Sequence, residues 1–481
     1  MKNNLKKLIA AALIFMSVFS CFSAGAFADE VGRVSCSMYG GGAAGRGFCW
    51  FTSEKGSSDL QIVKASEFTG SFGNAKCYSG EAAFYRDRYS HQVAVQDLEP
   101  GTKYFYRVGD AQKDLWSETC SFMTDDADGR FSFVTIADVQ ASSEENFEQA
   151  SKTLRGALSV MPEAEFIVNL GDYVNDNTND EWDWYFKSFG FANNYYTGVP
   201  VAGNHDGNIT NKLNTFCFPN TFCLDETHNR SLEGVYYSFD YGNAHFAVLN
   251  TNDMYPMSRA QRNWLINDMS ASNAMWKIIL MHRSLYSAGK NINKPDTIVM
   301  RDVLLPIIDM LDIDLVLSGH DHMYMRTSQV SGDKAVENVE YVTEYFGGEE
   351  TTFALDPDGT VYIIPSTAGT KRYVVNDDAI DPIHKVAAVE FSTRDLGGCF
   401  ATTEIEDGRL IYKAYVVNDG TGEISKVDEY AIKKTAPGNT DKITLDESAF
   451  SSIISFLPDF VVAFAKMLVS YVKLLIQVTV K

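Results

Sequence analysis

A β-sandwich followed by an α/β domain is the fold this sequence predicts, and three observations lead to it. The chain has 481 residues, a length that calls for two or more units, each with its own core. From Val34 to about Phe122, short aromatic and β-branched runs are broken by Gly, Ser and Asn clusters, as in an all-β domain. After Asp125–Asp128 the texture changes to apolar runs alternating with helical stretches, the pattern of an α/β domain.

Composition narrows the function. Hydrophobic residues make up 45% and charged residues 22%, proportions of a globular protein. The formal charge of −22 repels nucleic-acid phosphates and anionic membranes, so nucleic acid is excluded as a partner. An anionic substrate would need a local attraction, such as metal ions, to overcome that field.

Residues 1–28 read as a secretory signal peptide, which implies a secreted or cell-surface protein. Lys2, Lys6 and Lys7 precede an apolar run from Leu8 to Phe19, and Ala26, Phe27 and Ala28 form a small-residue cleavage pattern. The run is too short for a spanning helix. Cys21 stands where a lipidated cysteine would. Export puts the other seven cysteines in a disulfide-permissive compartment, with an odd one left over. Cys217 and Cys223 bracket a short loop and are the first pair expected to bridge.

Residues 29–126 form the expected β domain, 127–434 the α/β domain, 435–446 a linker through Pro437 and Gly438, and 447–481 an amphipathic C-terminal helix. In the α/β domain, strands are expected at Phe131–Ile136, Phe166–Leu170, Val199–Ala202, Ile278–Met281 and Leu315–Leu317, and helices at Ser143–Met161 and Ser258–Met269. The C-terminal helix is apolar but carries Lys466, Ser470, Lys473 and Gln477 as one polar stripe. It has to cover that apolar face by docking, self-association or contact with a membrane surface.

The chemistry lies just after the five strands. Asp138 follows the first, Gly171–Asp172 the second, Gly203–Asn204–His205–Asp206 the third, His282 the fourth and Gly319–His320–Asp321–His322 the fifth. Ligands bind at the carboxyl ends of strands in open α/β sheets, so five such ends bring these side chains together. Taken singly, Asp172 reads as a helix cap, Asn204 as a turn residue and His282 as a core histidine. Their joint register argues for a metal centre. His320 and His322, two apart in extended backbone, leave on one side and can reach two neighbouring cations.

This ordered set resembles the calcineurin-like metallophosphoesterases. The run His91–Val95, Leu98–Thr102, Tyr104–Val108, with Tyr104 or Tyr106 as corner tyrosine, is similar to the fibronectin type III-like domain before purple acid phosphatase catalytic domains. The resemblance spans roughly residues 34–434 and implies a two-sheet α/β/β/α catalytic domain. It puts Asp138, Asp172 and His322 on one metal ion and Asn204, His282 and His320 on a second, with Asp172 bridging. It also implies direct attack of a metal-bridging hydroxide on the phosphorus of a small-molecule phosphoester, with His205 as proton donor to the leaving group.

Three departures from the family pattern carry weight. Purple enzymes have a tyrosine three residues after the bridging aspartate, where this chain has Asn175; many relatives have a histidine two after the first aspartate, where it has Gln140. Gln140 or Asn175 then completes the first site, and without a tyrosinate two divalent ions (Zn, Mn or Fe) suit it better than a ferric ion. A second substrate-contacting histidine after His282 is missing, and Arg283 and Lys290 are candidates to bind phosphate in its place.

The expectation is therefore a secreted acid phosphatase-like hydrolase of phosphomonoesters. Phosphodiesters or nucleotides are the alternative substrates on the same site, with specificity set by loops such as Cys217–Cys223 and Glu337–Asp356. A rival of another class is a surface adhesion or binding protein with a weakened metal site. The β domain is expected to pack beside the catalytic crevice and not to bind carbohydrate.

Overall fold

The computed structural model describes residues 30–207, 214–219, 235–252, 257–376 and 386–438. The expected signal peptide with Cys21, most of the linker and the C-terminal helix lie outside the described residues. Among the described residues, no helix is long and apolar enough to cross a membrane.

The leading domain is a β-sandwich. Gly32–Met38, Arg46–Thr52, Arg88–Val95 and Glu81–Tyr85 make one layer. Lys76–Ser79, Asp59–Lys64, Lys103–Asp110 and Leu115–Trp116 make the other, with Cys120–Met123 also paired to Lys103–Asp110. Period-two alternation along Lys103–Asp110 buries Tyr104, Tyr106 and Val108. Phe48 meets Tyr106 and Phe122 edge-on at 4.9 and 5.6 Å. Of the two corner candidates, Tyr104 reaches back along the chain, its hydroxyl accepting a 2.9 Å bond from the Glu99 N–H; Tyr106 is a core ring.

The second domain packs two sheets face to face. Strands Arg130–Ile136, Phe166–Asn169 and Thr197–Pro200 run parallel, and Gly397–Glu406, Arg409–Asn418 and Ile424–Lys433 extend the first sheet. The second sheet runs Tyr237–Tyr241, Ala244–Leu249, Trp276–Arg283, Leu315–Gly319, Val361–Pro365, Tyr324–Thr327, Ala387–Phe391. Its central strands are buried on both faces. Ile278 and Leu280 join the core between the sheets, while Ile279 and Met281 face the helices. Aromatic rings fill the gap: Phe133 stacks on Phe166 at 4.9 Å, and Phe246 meets each edge-on at 5.8 Å.

Among the described residues, four helices cover the outer faces: α1 (Glu144–Val160), α2 (Asn179–Asn193), α3 (Arg259–Ala271) and α4 (Pro295–Leu311). Ser143 caps α1 by accepting from Asn146 N–H, and Phe147, Ala150, Leu154 and Ala157 form its buried stripe. Ser258 caps α3, and Thr178 with Glu181 makes a capping box on α2. The sequence reading has neither α2 nor α4. The aromatic residues of α2 mimic strand composition, and α4 is buried over most of its surface and contains Pro306.

The two domains share one twelve-stranded sheet, because Gly32–Met38 pairs in parallel with Thr197–Pro200 at Ser37 and Gly198. Arg46, wholly buried, locks this seam. Its guanidinium donates to Thr197 Oγ1 (2.9 Å) and to the carbonyls of Gly42, Gly45 and Met123 (2.8, 2.6 and 2.7 Å). Glu337–Asp356 is a hairpin, Tyr341–Phe346 with Glu349–Leu355, and not a loop over the strand ends. Four strands separate its outer edge from the strand that leads to Asp138. Cys217 has a free thiol buried against Cys49 and Phe51, and Cys223 lies outside the described residues.

Candidate metal centre

Asp138, Asp172, His282, His320 and His322 come together at the carboxyl ends of the central strands. One ligand atom from each of Asp138, Asp172 and His322 lies within 4.8 Å of the others, and the same holds for Asp172, His282 and His320. Asp172 belongs to both groups. Asn204 joins the second, its Oδ1 lying 3.1 Å from His282 Nε2.

Backbone turns aim these side chains. Asp138, Asp172 and His320 adopt left-handed φ values of 53°, 55° and 71°, which non-glycine residues occupy only where their surroundings hold them. Neighbouring turns lock one another: Asp138 N–H donates to Gly171 O (3.0 Å), Gln140 N–H to Asp172 O (2.8 Å), and His320 N–H to the Asp138 carboxylate (2.9 Å). The glycines of the motifs make the approach possible. A Cβ on Gly203 would stand 2.0 Å from Asp172 N, and one on Gly171, at φ +95°, would stand 2.9 Å from His282 Nδ1.

Asp206 is the buried support of this corner. Its Oδ2 accepts from Asp172 N–H (3.0 Å) and Gly203 N–H (2.8 Å), and its Oδ1 from Tyr173 N–H (2.7 Å).

Hydrogen bonds also set the ring orientations. His282 Nδ1 donates to Leu170 O at 2.8 Å and His322 Nδ1 to Lys371 O, so each presents Nε2 to the carboxylates, at 3.3 Å from Asp172 and 3.4 Å from Asp138. Burial disfavours charge on His282, but Asp172 and Asp138 raise its pKa to about 9; the charge of His282 in turn holds Asp172 below the usual carboxylate range against its own burial. Burial, His282 and Arg283 push His320 well below its ordinary value.

The donor set fits metal ions. His320 Nε2 is buried without a hydrogen-bond partner, as are both polar atoms of the Gln140 side chain. Two buried carboxylates and three imidazoles form a shell that cations would complete.

His205 sits at the rim, half-buried. Its Nδ1 bonds Asn175 O at 2.6 Å and its N–H donates to Asp172 Oδ1 at 2.8 Å, which leaves Nε2 as its outward atom. Asn175 meets His205 through its backbone carbonyl. Arg283, next to His282, is tied to Asp296 (2.7 Å) at the start of α4 and to Asn252 (3.3 Å). Lys290 is exposed, its Nζ 3.8 Å from the centre of the Tyr373 ring. Tyr373, absent from the sequence reading, stacks on His322 at 4.4 Å and 13°. It lies about fifty residues from His322 on a loop without a motif, and only the fold brings them together.

A two-sheet domain with Asp and His at these strand ends defines a calcineurin-like phosphoesterase domain, and residues 131–324 match the model of that family. Residues 34–124 match the purple acid phosphatase N-terminal domain, so the chain carries this domain ahead of the phosphoesterase domain. It is 25% identical to purple acid phosphatase 1 of Ipomoea batatas, over 51% of this chain and 54% of that protein. It is 22% identical to Fe(3+)-Zn(2+) purple acid phosphatase 12 of Arabidopsis thaliana, over 59% of this chain and 62% of the relative. The match to purple acid phosphatase 15 of Arabidopsis thaliana spans 56% of that relative, so the chain spans little more than half the length of these relatives. The purple acid phosphatase from yellow lupin seeds (Lupinus luteus) shares the fold, with a TM-score of 0.64 at 14% identity over 84% of this chain and 75% of that one.

Proposed function

We propose that this chain is an exported, metal-dependent phosphatase that hydrolyses phosphomonoesters. The observation that carries the reading is the pair of buried ligand groups sharing Asp172. In this reading Asp138, Asp172 and His322 hold one ion, and Asn204, His282 and His320 the other. Two divalent cations held there would bring the pKa of a water towards neutrality and neutralise the oxygens of a phosphate.

The chain's own residues do the rest. Asp206 and the crossed backbone bonds keep Asp172 in its strained turn. His205 holds a proton on Nε2 for the departing alkoxide, its ring oriented through Nδ1 by Asn175. Gln140 completes the site of Asp138, Asp172 and His322 in preference to Asn175, because its side-chain oxygen and nitrogen are buried and unpartnered. Arg283 aligns the start of α4 through Asp296. The absence of a tyrosine at position 175 leaves two carboxylates and neutral donors, which favours divalent Zn, Mn or Fe over a ferric ion. Of the Fe(3+) and Zn(2+) in the name of the Arabidopsis relative, the zinc matches this preference and the ferric ion does not. Export rests on the leader-like sequence of residues 1–28.

The test is turnover of a chromogenic phosphomonoester and its diester by the metal-loaded protein and by Asp172→Asn. The monoester should be preferred, and the variant should lose nearly all turnover. Equal turnover in the variant would refute the reading.

A further inference from the structure

One rim of this acidic protein is cationic. Lys290, Lys294 and Lys371 are exposed, and among the described residues none of the three enters an ion pair. Their placement is built. Asp321, between the two metal-facing histidines, accepts from Asn291 Nδ2 at 2.7 Å and from its N–H at 3.3 Å, which ties the residue after Lys290 to the ligand loop. The Lys290 ammonium then lies on one face of Tyr373, whose ring is stacked nearly parallel with His322. Lys371 supplies the carbonyl that orients His322, and Lys294 is the residue that opens α4. Burial disfavours the charge of Lys290, and Lys371 and Lys294 add their repulsion, which the buried Asp321 offsets only in part. Keeping three like charges together costs free energy unless an anion arrives between them. The phosphoryl group under attack is already served by the cations and His205.

We propose that this lysine rim receives a second anionic group, phosphate or carboxylate, on the same molecule as the phosphomonoester that is cleaved. The inference rests on the phosphatase reading and names the substrate class for it.

The test compares propyl phosphate with propane-1,3-diyl bisphosphate on the full-length, metal-loaded protein, and on Lys290→Gln and the double variant Lys294→Gln/Lys371→Gln. Wild type should favour the bisphosphate. The ratio of kcat/KM between the two substrates should fall about tenfold in each variant and shrink as salt rises from about 50 to 300 mM. Calorimetry with methylenebisphosphonate against methylphosphonate should show the same lysine-dependent difference in affinity. Turnover of both substrates with a ratio unchanged in both variants overturns the rim and leaves the phosphatase intact. Lysine-dependent bisphosphonate binding without any turnover upholds the rim and overturns the phosphatase. Neither turnover nor lysine-dependent binding overturns both.

Discussion

Asp206→Ala tests whether the strained ligand turn is held from behind. Asp206 is buried and accepts three backbone N–H groups, from Asp172, Tyr173 and Gly203. Truncation leaves all three donors unsatisfied, at roughly 1–3 kcal/mol each. The expected loss is about 3–9 kcal/mol, a large part of the roughly 5–15 kcal/mol that holds an ordinary domain together. Asp206→Asn keeps one acceptor oxygen and turns an NH2 towards a donor, so its cost should be smaller, about 1–3 kcal/mol. Because Asp172 belongs to both ligand groups, metal affinity should also weaken, by about 10–100-fold. Urea unfolding midpoints with unchanged m-values give the stability loss, and zinc titration gives the affinity. An alanine variant within about 1 kcal/mol of wild type that also binds zinc normally would refute the reasoning.

Other consequences follow from the same contacts. His245 bonds Asp240 (2.7 Å) and Asp268 (2.9 Å); burial opposes its charge, but these carboxylates raise its pKa to about 9. Its stabilisation should be complete below the unfolded value near 6.5 and fade as pH rises through about 9. Solvent screening of the exposed Asp240 limits it to about 2 kcal/mol, and His245→Gln should flatten the denaturation profile between pH 6.5 and 9. Arg46→Met strands three carbonyls and the Thr197 hydroxyl at the seam between the domains, so it should cost more than about 3 kcal/mol, read as a lower unfolding midpoint. Removing residues 29–126 exposes that seam and should impair solubility before chemistry; a stable, fully active catalytic domain alone would contradict the shared sheet.

Much of this architecture is legible in sequence because strand-end chemistry is local. A buried strand reads as an apolar run, and the residue after it is fixed by register, so Asp138, Asp172, Asn204, His282, His320 and His322 could be picked out in order. The runs were less sharp where pairing sets the bounds: Thr197–Pro200 starts two residues before the apolar stretch because it registers against Phe166–Asn169. Helix α4 was hidden because apolar residues surround it, which erases its period. The stack of Lys290, Tyr373 and His322 is a tertiary contact between separate loops, and no local pattern announces it. The edge position of Tyr341–Leu355 is likewise topological: its length and turn residues suit a loop as well as a hairpin, and only pairing with Ile424–Lys433 places it at the far edge.

The most direct test of the account is metal content measured together with phosphoester turnover. Protein beginning at residue 29 would be reconstituted with Zn, Mn or Fe(II), its metal counted by mass spectrometry, and monoester and diester hydrolysis followed from pH 4 to 9. The account predicts about two metals per chain with monoester turnover, and loss of both in Asp172→Asn. A protein that binds no metal after reconstitution, yet folds, would contradict it and favour a binding module that retains the ligand residues without the chemistry.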